Sequence, residues 1–107
     1  MAHKTEVLGA LADKVSQRRT DSPDQSYTAK LLSQGMEKCA KKFGEEAVEL
    51  ALASMTENKS HVCSEAADVL YHLIVLLEAA HVPLEHVMSE LEKRQVQSGL
   101  AEKVSRG

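Results

Sequence analysis

The chain of 107 residues contains no tryptophan, one phenylalanine and two tyrosines. That scarcity excludes the succession of stacking rings on which single-stranded nucleic acid is held. Excess positive charge is absent too: 13 lysines and arginines against 16 aspartates and glutamates leave a formal net charge of −3. Binding driven by attraction to a phosphate backbone needs the opposite balance, so nucleic acid is not an expected partner. Cysteine is limited to Cys39 and Cys63, with no CxxC pair. A zinc framework is thereby excluded, and both thiols are expected to be buried and reduced. The longest apolar stretch lies around Val69–Leu77, well short of the about 18–20 residues that span a bilayer. The opening MAHKTEVLGALADKV lacks the apolar segment and small-residue cleavage site of a secretory signal. A soluble cytoplasmic protein with no membrane partner is the expectation. Hairpin dipeptides and alternating β-branched runs are missing, which argues against strands.

What is present is helical spacing. The composition is 43% hydrophobic, enough for one core in a single domain spanning the chain. The spacing predicts a first helix over about 5–19, with Leu8, Leu11, Ala12 and Val15 as its buried stripe. TDSPDQS breaks it. A short helix follows over about 26–33, with Gly35 as a stop or kink. The third helix covers about 36–55, TENKS is a polar turn, and the fourth covers about 60–80. Pro83 suits the first turn of a fifth helix carrying Leu84, Val87, Met88 and Leu91. The tail over 99–107 is polar and expected to fray. The fold class is all-α, with four or five helices.

Two of these helices carry unusual acids. On the third, Met36, Cys39, Ala40, Phe43, Ala47 and Leu50 form an apolar stripe. Lys38, Lys41, Lys42, Glu45 and Glu49 lie opposite, with Glu46 at the border. Alone, this is a solvated face with Lys41–Glu45 and Lys42–Glu46 pairs. Val48 and Leu52, however, flank the acids as if a second element packs there. On the fourth helix the string VLYHLIVLLEAA is apolar nearly all round, so burial on more than one side is expected. Glu65, Asp68 and His72 nevertheless share one of its stripes. Carboxylates beside a buried face must be paired, protonated or bound to a cation. Fifteen residues separate Glu49 from Glu65, and a helical hairpin through TENKS brings ExxE and ExxD face to face. Four such oxygen donors suit Mg²⁺, with Mn²⁺ as a substitute. Gly44, inside a helix, costs about 1 kcal/mol relative to alanine; room for close helix packing or for substrate is the expected return.

The strings EEAVE and EAAD resemble the EExxE…ExxD signature of the MazG-like all-α nucleoside triphosphate pyrophosphohydrolases. SYTAKLLSQG, KKFGEEAVEL, EAADVLYHLIVLL and LEKR narrow the resemblance to the phosphoribosyl-ATP pyrophosphohydrolase family, over about residues 26–94. The resemblance implies a MazG-like bundle completed as a homodimer. It implies Mg²⁺-dependent hydrolysis of phosphoribosyl-ATP to phosphoribosyl-AMP and pyrophosphate, the second step of L-histidine biosynthesis. It also carries the metal ligands onto Glu46, Glu49, Glu65 and Asp68. Glu45 or Glu49 is the candidate to orient or deprotonate water. Candidate contacts to substrate and phosphate are Ser26, Tyr27, Lys30, Lys38, Lys41, Lys42 and Arg94, with His72 behind the ligands. Three other readings stand beside this one: a pyrophosphohydrolase of other nucleoside triphosphates, a non-enzymatic helical interaction module, and a di-iron carboxylate bundle. The last rests on Glu78 and His81 as ExxH, but it needs two such units and only one is present.

Overall fold

A computed structural model describes residues 3–96. The five apolar-periodic segments become α1 (Glu6–Arg18), α2 (Tyr27–Ser33), α3 (Met36–Ala53), α4 (Lys59–Ala79) and α5 (Leu84–Gln95), and no strand occurs among the described residues. The tail expected to fray lies outside the described residues.

Local chemistry sets the helix ends. Ser26 Oγ accepts from the Ala29 amide at 3.1 Å and caps α2. Gly35 opens α3 at φ 92°, a conformation that a side chain makes strained, so it starts a helix rather than kinking one. Between α3 and α4, Thr56 Oγ1 donates to the Ala53 carbonyl at 2.7 Å and Asn58 Oδ1 accepts from the His61 amide at 3.0 Å. These short bonds turn the chain back, and α3 and α4 pack along each other. Pro83 precedes α5 in extended backbone at ψ 141°, one residue before the expected first turn.

The core is Val15, Leu31, Cys39, Ile74 and Val75, walled by Leu8, Leu11, Ala12, Leu32, Tyr71, Leu76, Ala79 and Leu84. It sits on the second half of α4, where α1, α2 and the start of α3 converge. That position explains one departure from expectation. Cys39 is buried, with its thiol donating to the Leu31 carbonyl at 3.4 Å, and burial pushes its pKa up. Cys63 is exposed, because it lies on the first half of α4, outside this core. The expected apolar face of α5 is also not buried within the chain: Met88 and Leu91 are exposed, and only Leu84 joins the core wall. Likewise Val48 and Leu52 on α3 stay more than half exposed, at 59% and 65%; no element among the described residues covers them. Gly44 has open space where a Cβ would stand, so close packing within the chain is not its role.

Helix α4 ends in a Schellman motif. The Val82 amide donates to the Leu77 carbonyl at 2.9 Å and the His81 amide to the Glu78 carbonyl at 3.1 Å. His81 takes the left-handed position, φ 58°, that glycine occupies at lower cost. His81→Gly is expected to stabilise the fold by about 1 kcal/mol, raising Tm by about 4–8 °C in a thermal melt. An unchanged or lowered Tm would show that the histidine's own contacts outweigh the backbone strain.

Candidate active site

The α3–α4 hairpin levels the acids by simple geometry. At 1.5 Å per residue, Glu49 lies about 6 Å before the end of α3 and Glu65 about 9 Å into α4. Carboxylate oxygens of Glu46, Glu49 and Glu65 all lie within 4.8 Å of one another. Asp68, one turn beyond Glu65, falls outside that tight trio, yet its charge helps raise the Glu46 pKa, so it borders the cluster.

The trio is electrostatically uncomfortable on its own. Burial pushes the Glu46 carboxyl up from the ordinary glutamate range, followed by repulsion from Glu49, a hydrogen bond shared with Glu49 and the charge of Asp68; His72 acts in the opposite direction. Glu65 Oε2 is buried with no hydrogen-bond partner among the described residues. A buried orphan oxygen facing two further carboxylates is the donor set of a hard divalent cation. The residues present therefore fit Mg²⁺ or Mn²⁺, with Glu46, Glu49 and Glu65 as the holding trio and Asp68 at its edge.

Without the cation, the raised Glu46 pKa destabilises the fold. In the unfolded chain this carboxyl ionises first, so stability falls as pH rises from the ordinary glutamate value through the raised one, then levels off. Glu46→Gln is accordingly expected to melt at higher temperature than the parent in chelator at neutral pH. The difference should vanish below about pH 3, where the glutamate is protonated in both states. A lower Tm at neutral pH would mean that Glu46 is better compensated than its surroundings indicate.

His72 lies directly behind the acids. It is 6% exposed, and Nδ1 lies 2.9 Å from the Asp68 carbonyl oxygen. A carbonyl only accepts, so Nδ1 carries a proton. Nε2 is buried and has no partner among the described residues. Tyr71 meets the imidazole edge-on at 5.0 Å between centroids, and Tyr27 does so at 6.4 Å. The Tyr71 hydroxyl and Thr28 Oγ1 are 2.5 Å apart, linking α4 to α2. Burial pushes the Tyr71 phenol pKa up, while the Thr28 hydrogen bond pulls it down.

The other predicted residues divide. Glu45 is outside the trio; Lys42 Nζ lies 3.9 Å from its Oε1, and this i,i+3 contact replaces the expected Lys41–Glu45 and Lys42–Glu46 pairs. Lys38 and Lys41 are exposed on α3, and Lys30 and Tyr27 are exposed on α2. The Ser26 hydroxyl oxygen accepts the capping bond of α2. Arg94 is on α5, with Nε 3.2 Å from Glu90 Oε1. Arg19 clasps Glu78 through its carboxylate at 2.8 Å and its carbonyl at 2.6 Å. That clasp occupies the glutamate of the ExxH string, and among the described residues no cation-binding group includes Glu78 or His81.

Comparison with known proteins decides the lineage. A family model described as "Phosphoribosyl-ATP pyrophosphohydrolase" matches residues 8–95. The chain belongs to this family. It is 54% identical to the phosphoribosyl-ATP pyrophosphatase of Cereibacter sphaeroides, over 94% of this chain and 98% of the relative. It is 57% identical to that of Methylobacterium radiotolerans over 94% of each chain, and 52% identical to that of Rhizobium johnstonii over 92% of each. The family match takes in α2, α3 and α4 whole, hence every member of the trio and the aromatic group behind it. Tyr71 stands outside the residues that spacing and motif single out. The signal was available in LYH beside SYT, but pairing Thr28 with Tyr71 spans 43 positions and needs the fold.

Proposed function

We propose that this protein hydrolyses phosphoribosyl-ATP between its α- and β-phosphoryl groups, giving phosphoribosyl-AMP and pyrophosphate in the second step of L-histidine biosynthesis. One observation carries the chemistry: the level trio Glu46, Glu49 and Glu65, with the orphan Glu65 Oε2. Carboxylates alone repel a polyphosphate. Mg²⁺, when bound among them, inverts the local sign and lowers the pKa of water for attack at phosphorus.

The chain's own residues do the rest by positioning. Glu46 and Glu65 hold the cation, with Asp68 at the rim. Glu49 is the exposed member of the trio, so it can also reach an attacking water; Glu45, one turn back, is the alternative base. Lys38, Lys41 and Lys42 follow the α3 face toward the departing pyrophosphate. Lys30, Ser26 and Tyr27 belong to the remainder of the substrate, and Arg94 to a phosphate reached from α5. His72 fixes the Asp68 backbone from behind. A homodimer, formed over the uncovered Val48–Leu52 face of α3, completes the bundle, and the cytoplasm is the compartment.

The assay is pyrophosphate release from phosphoribosyl-ATP with Mg²⁺, repeated with excess chelator and with ordinary nucleoside triphosphates. Release that requires the cation and prefers phosphoribosyl-ATP is expected. Equal or faster release from deoxynucleoside triphosphates would overturn the substrate, and release unaffected by chelation would overturn the metal site.

A further inference from the structure

The proposed activity leaves one recognition problem open. Phosphoribosyl-ATP must be told apart from ATP, with which it shares a triphosphate. The two differ at the purine, where the substrate carries a phosphoribosyl group on ring nitrogen N1. Alkylation at N1 makes the purine a stronger base, so it carries positive charge near neutral pH. Recognition of that end calls for an aromatic face and a counter-charge.

The described residues hold one exposed aromatic ring beside the acid cluster. Tyr27 is 53% exposed, although Tyr71 lies nearly parallel to it, 6.4 Å away with an interplanar angle of 22°. His72 approaches the same ring edge-on at 6.4 Å, and His72 in turn bonds the Asp68 carbonyl at the rim of the cluster at 2.9 Å. Tyr27 is therefore one ring away from the cluster. It also borders an open concavity of about 440 Å³ lined by Pro23, Asp24, Gln25, Ser26 and Lys30. The turn that shapes this concavity is fixed: the Ser22 carbonyl accepts from the Gln25 amide at 3.0 Å and from the Ser26 amide at 3.1 Å. The half-buried Tyr71 behind it, with its hydroxyl tied to Thr28, keeps the platform in place.

We infer that the concavity under Tyr27 is the subsite for the N1-alkylated purine, with the Tyr27 ring as its stacking face and Asp24 as the counter-charge. This rests on the proposed activity. A cationic base over an aromatic face gains the cation–π attraction that neutral adenine lacks, and Asp24 adds a Coulombic preference of the same sign. Lys30, at the edge of the concavity, matches the phosphate on the added ribose. Tyr27 is thus a specificity-determining residue, remote from the bond that breaks.

The test titrates AMP and 1-methyl-AMP into the protein by calorimetry in magnesium chloride. Neither nucleotide contains an anhydride to hydrolyse, and the second carries the alkylated purine without the phosphoribosyl group. Wild type is expected to bind 1-methyl-AMP about fivefold more tightly, the size of one exposed cation–π contact. Tyr27→Phe should keep this preference, Tyr27→Ala should erase it, and Asp24→Asn should reduce it. Thermal melts establish that each variant is folded, as the exposure of both positions implies. Equal binding of the two nucleotides by wild type, or a preference that survives Tyr27→Ala, overturns the subsite. The two readings fail separately: absence of pyrophosphate release from phosphoribosyl-ATP overturns the activity, whereas normal release without a nucleotide preference overturns the platform.

Discussion

Glu65→Gln is expected to lower kcat/KM for phosphoribosyl-ATP by at least about 10²-fold, roughly 3 kcal/mol of transition-state stabilisation. Glutamine keeps the size of the side chain and removes its charge. The position is unforgiving because Glu65 Oε2 is buried and has no partner among the described residues. The same substitution should leave the fold intact, since one of three crowded carboxylates becomes neutral. Calorimetric titration with Mg²⁺ or Mn²⁺ should show weakened binding in step with the loss of activity. Glu45→Gln is the internal control: its carboxylate stands outside the trio, facing Lys42, and its cation affinity should stay near the parent's. Wild-type turnover in Glu65→Gln would remove this residue from the site.

Leu31→Ala is expected to destabilise the fold by about 2–5 kcal/mol, measured by urea denaturation as a lowered midpoint with little change in slope. Leu31 is 2% exposed and belongs to the five-residue core with Val15, Cys39, Ile74 and Val75. Its truncation opens a cavity where α2 meets α3 and α4. Small domains have about 5–15 kcal/mol in hand, so the loss is a large fraction of the total. A change well under 1 kcal/mol would mean that the helices close over the gap, and that α2 is less firmly seated than its burial indicates.

Helix identity was legible because apolar spacing and end signals agreed. TDSPDQS, TENKS and Pro83 mark the breaks by chemistry that is local, and local chemistry survives in a sequence; Gly35, expected as a stop or kink, also opens α3. The acid site was legible for a related reason: a helical hairpin with a short turn has one dominant alignment, so Glu49 and Glu65 meet. Side-chain choices settled by the fold were not legible. Lys42 meets Glu45 rather than Glu46, a choice between neighbours separated by a few tenths of a kcal/mol. Arg19 and Glu78 are 59 positions apart and clasp only because α1 and α4 end together. Cys63 is exposed because the core gathers at the far half of its helix, which depends on where α1 and α2 dock. Gly44, facing open space, has no explanation in the packing of the single chain.

The departure of α5 has a consequence for how the molecule opens. This helix leaves α4 at 113° and buries none of its residues fully. A twelve-residue helix is marginal on its own in water, and fixing each residue costs about 1–2 kcal/mol of backbone entropy. Leu84 is its main anchor to the core. In the single chain, α5 therefore forms a low-stability cooperative unit that can detach well below the free energy of global unfolding. The acids lie on the α3–α4 hairpin, whose pairing does not pass through α5. Such partial opening leaves the acid-bearing hairpin folded: the architecture separates a peripheral element that can breathe from a hairpin that must stay in register.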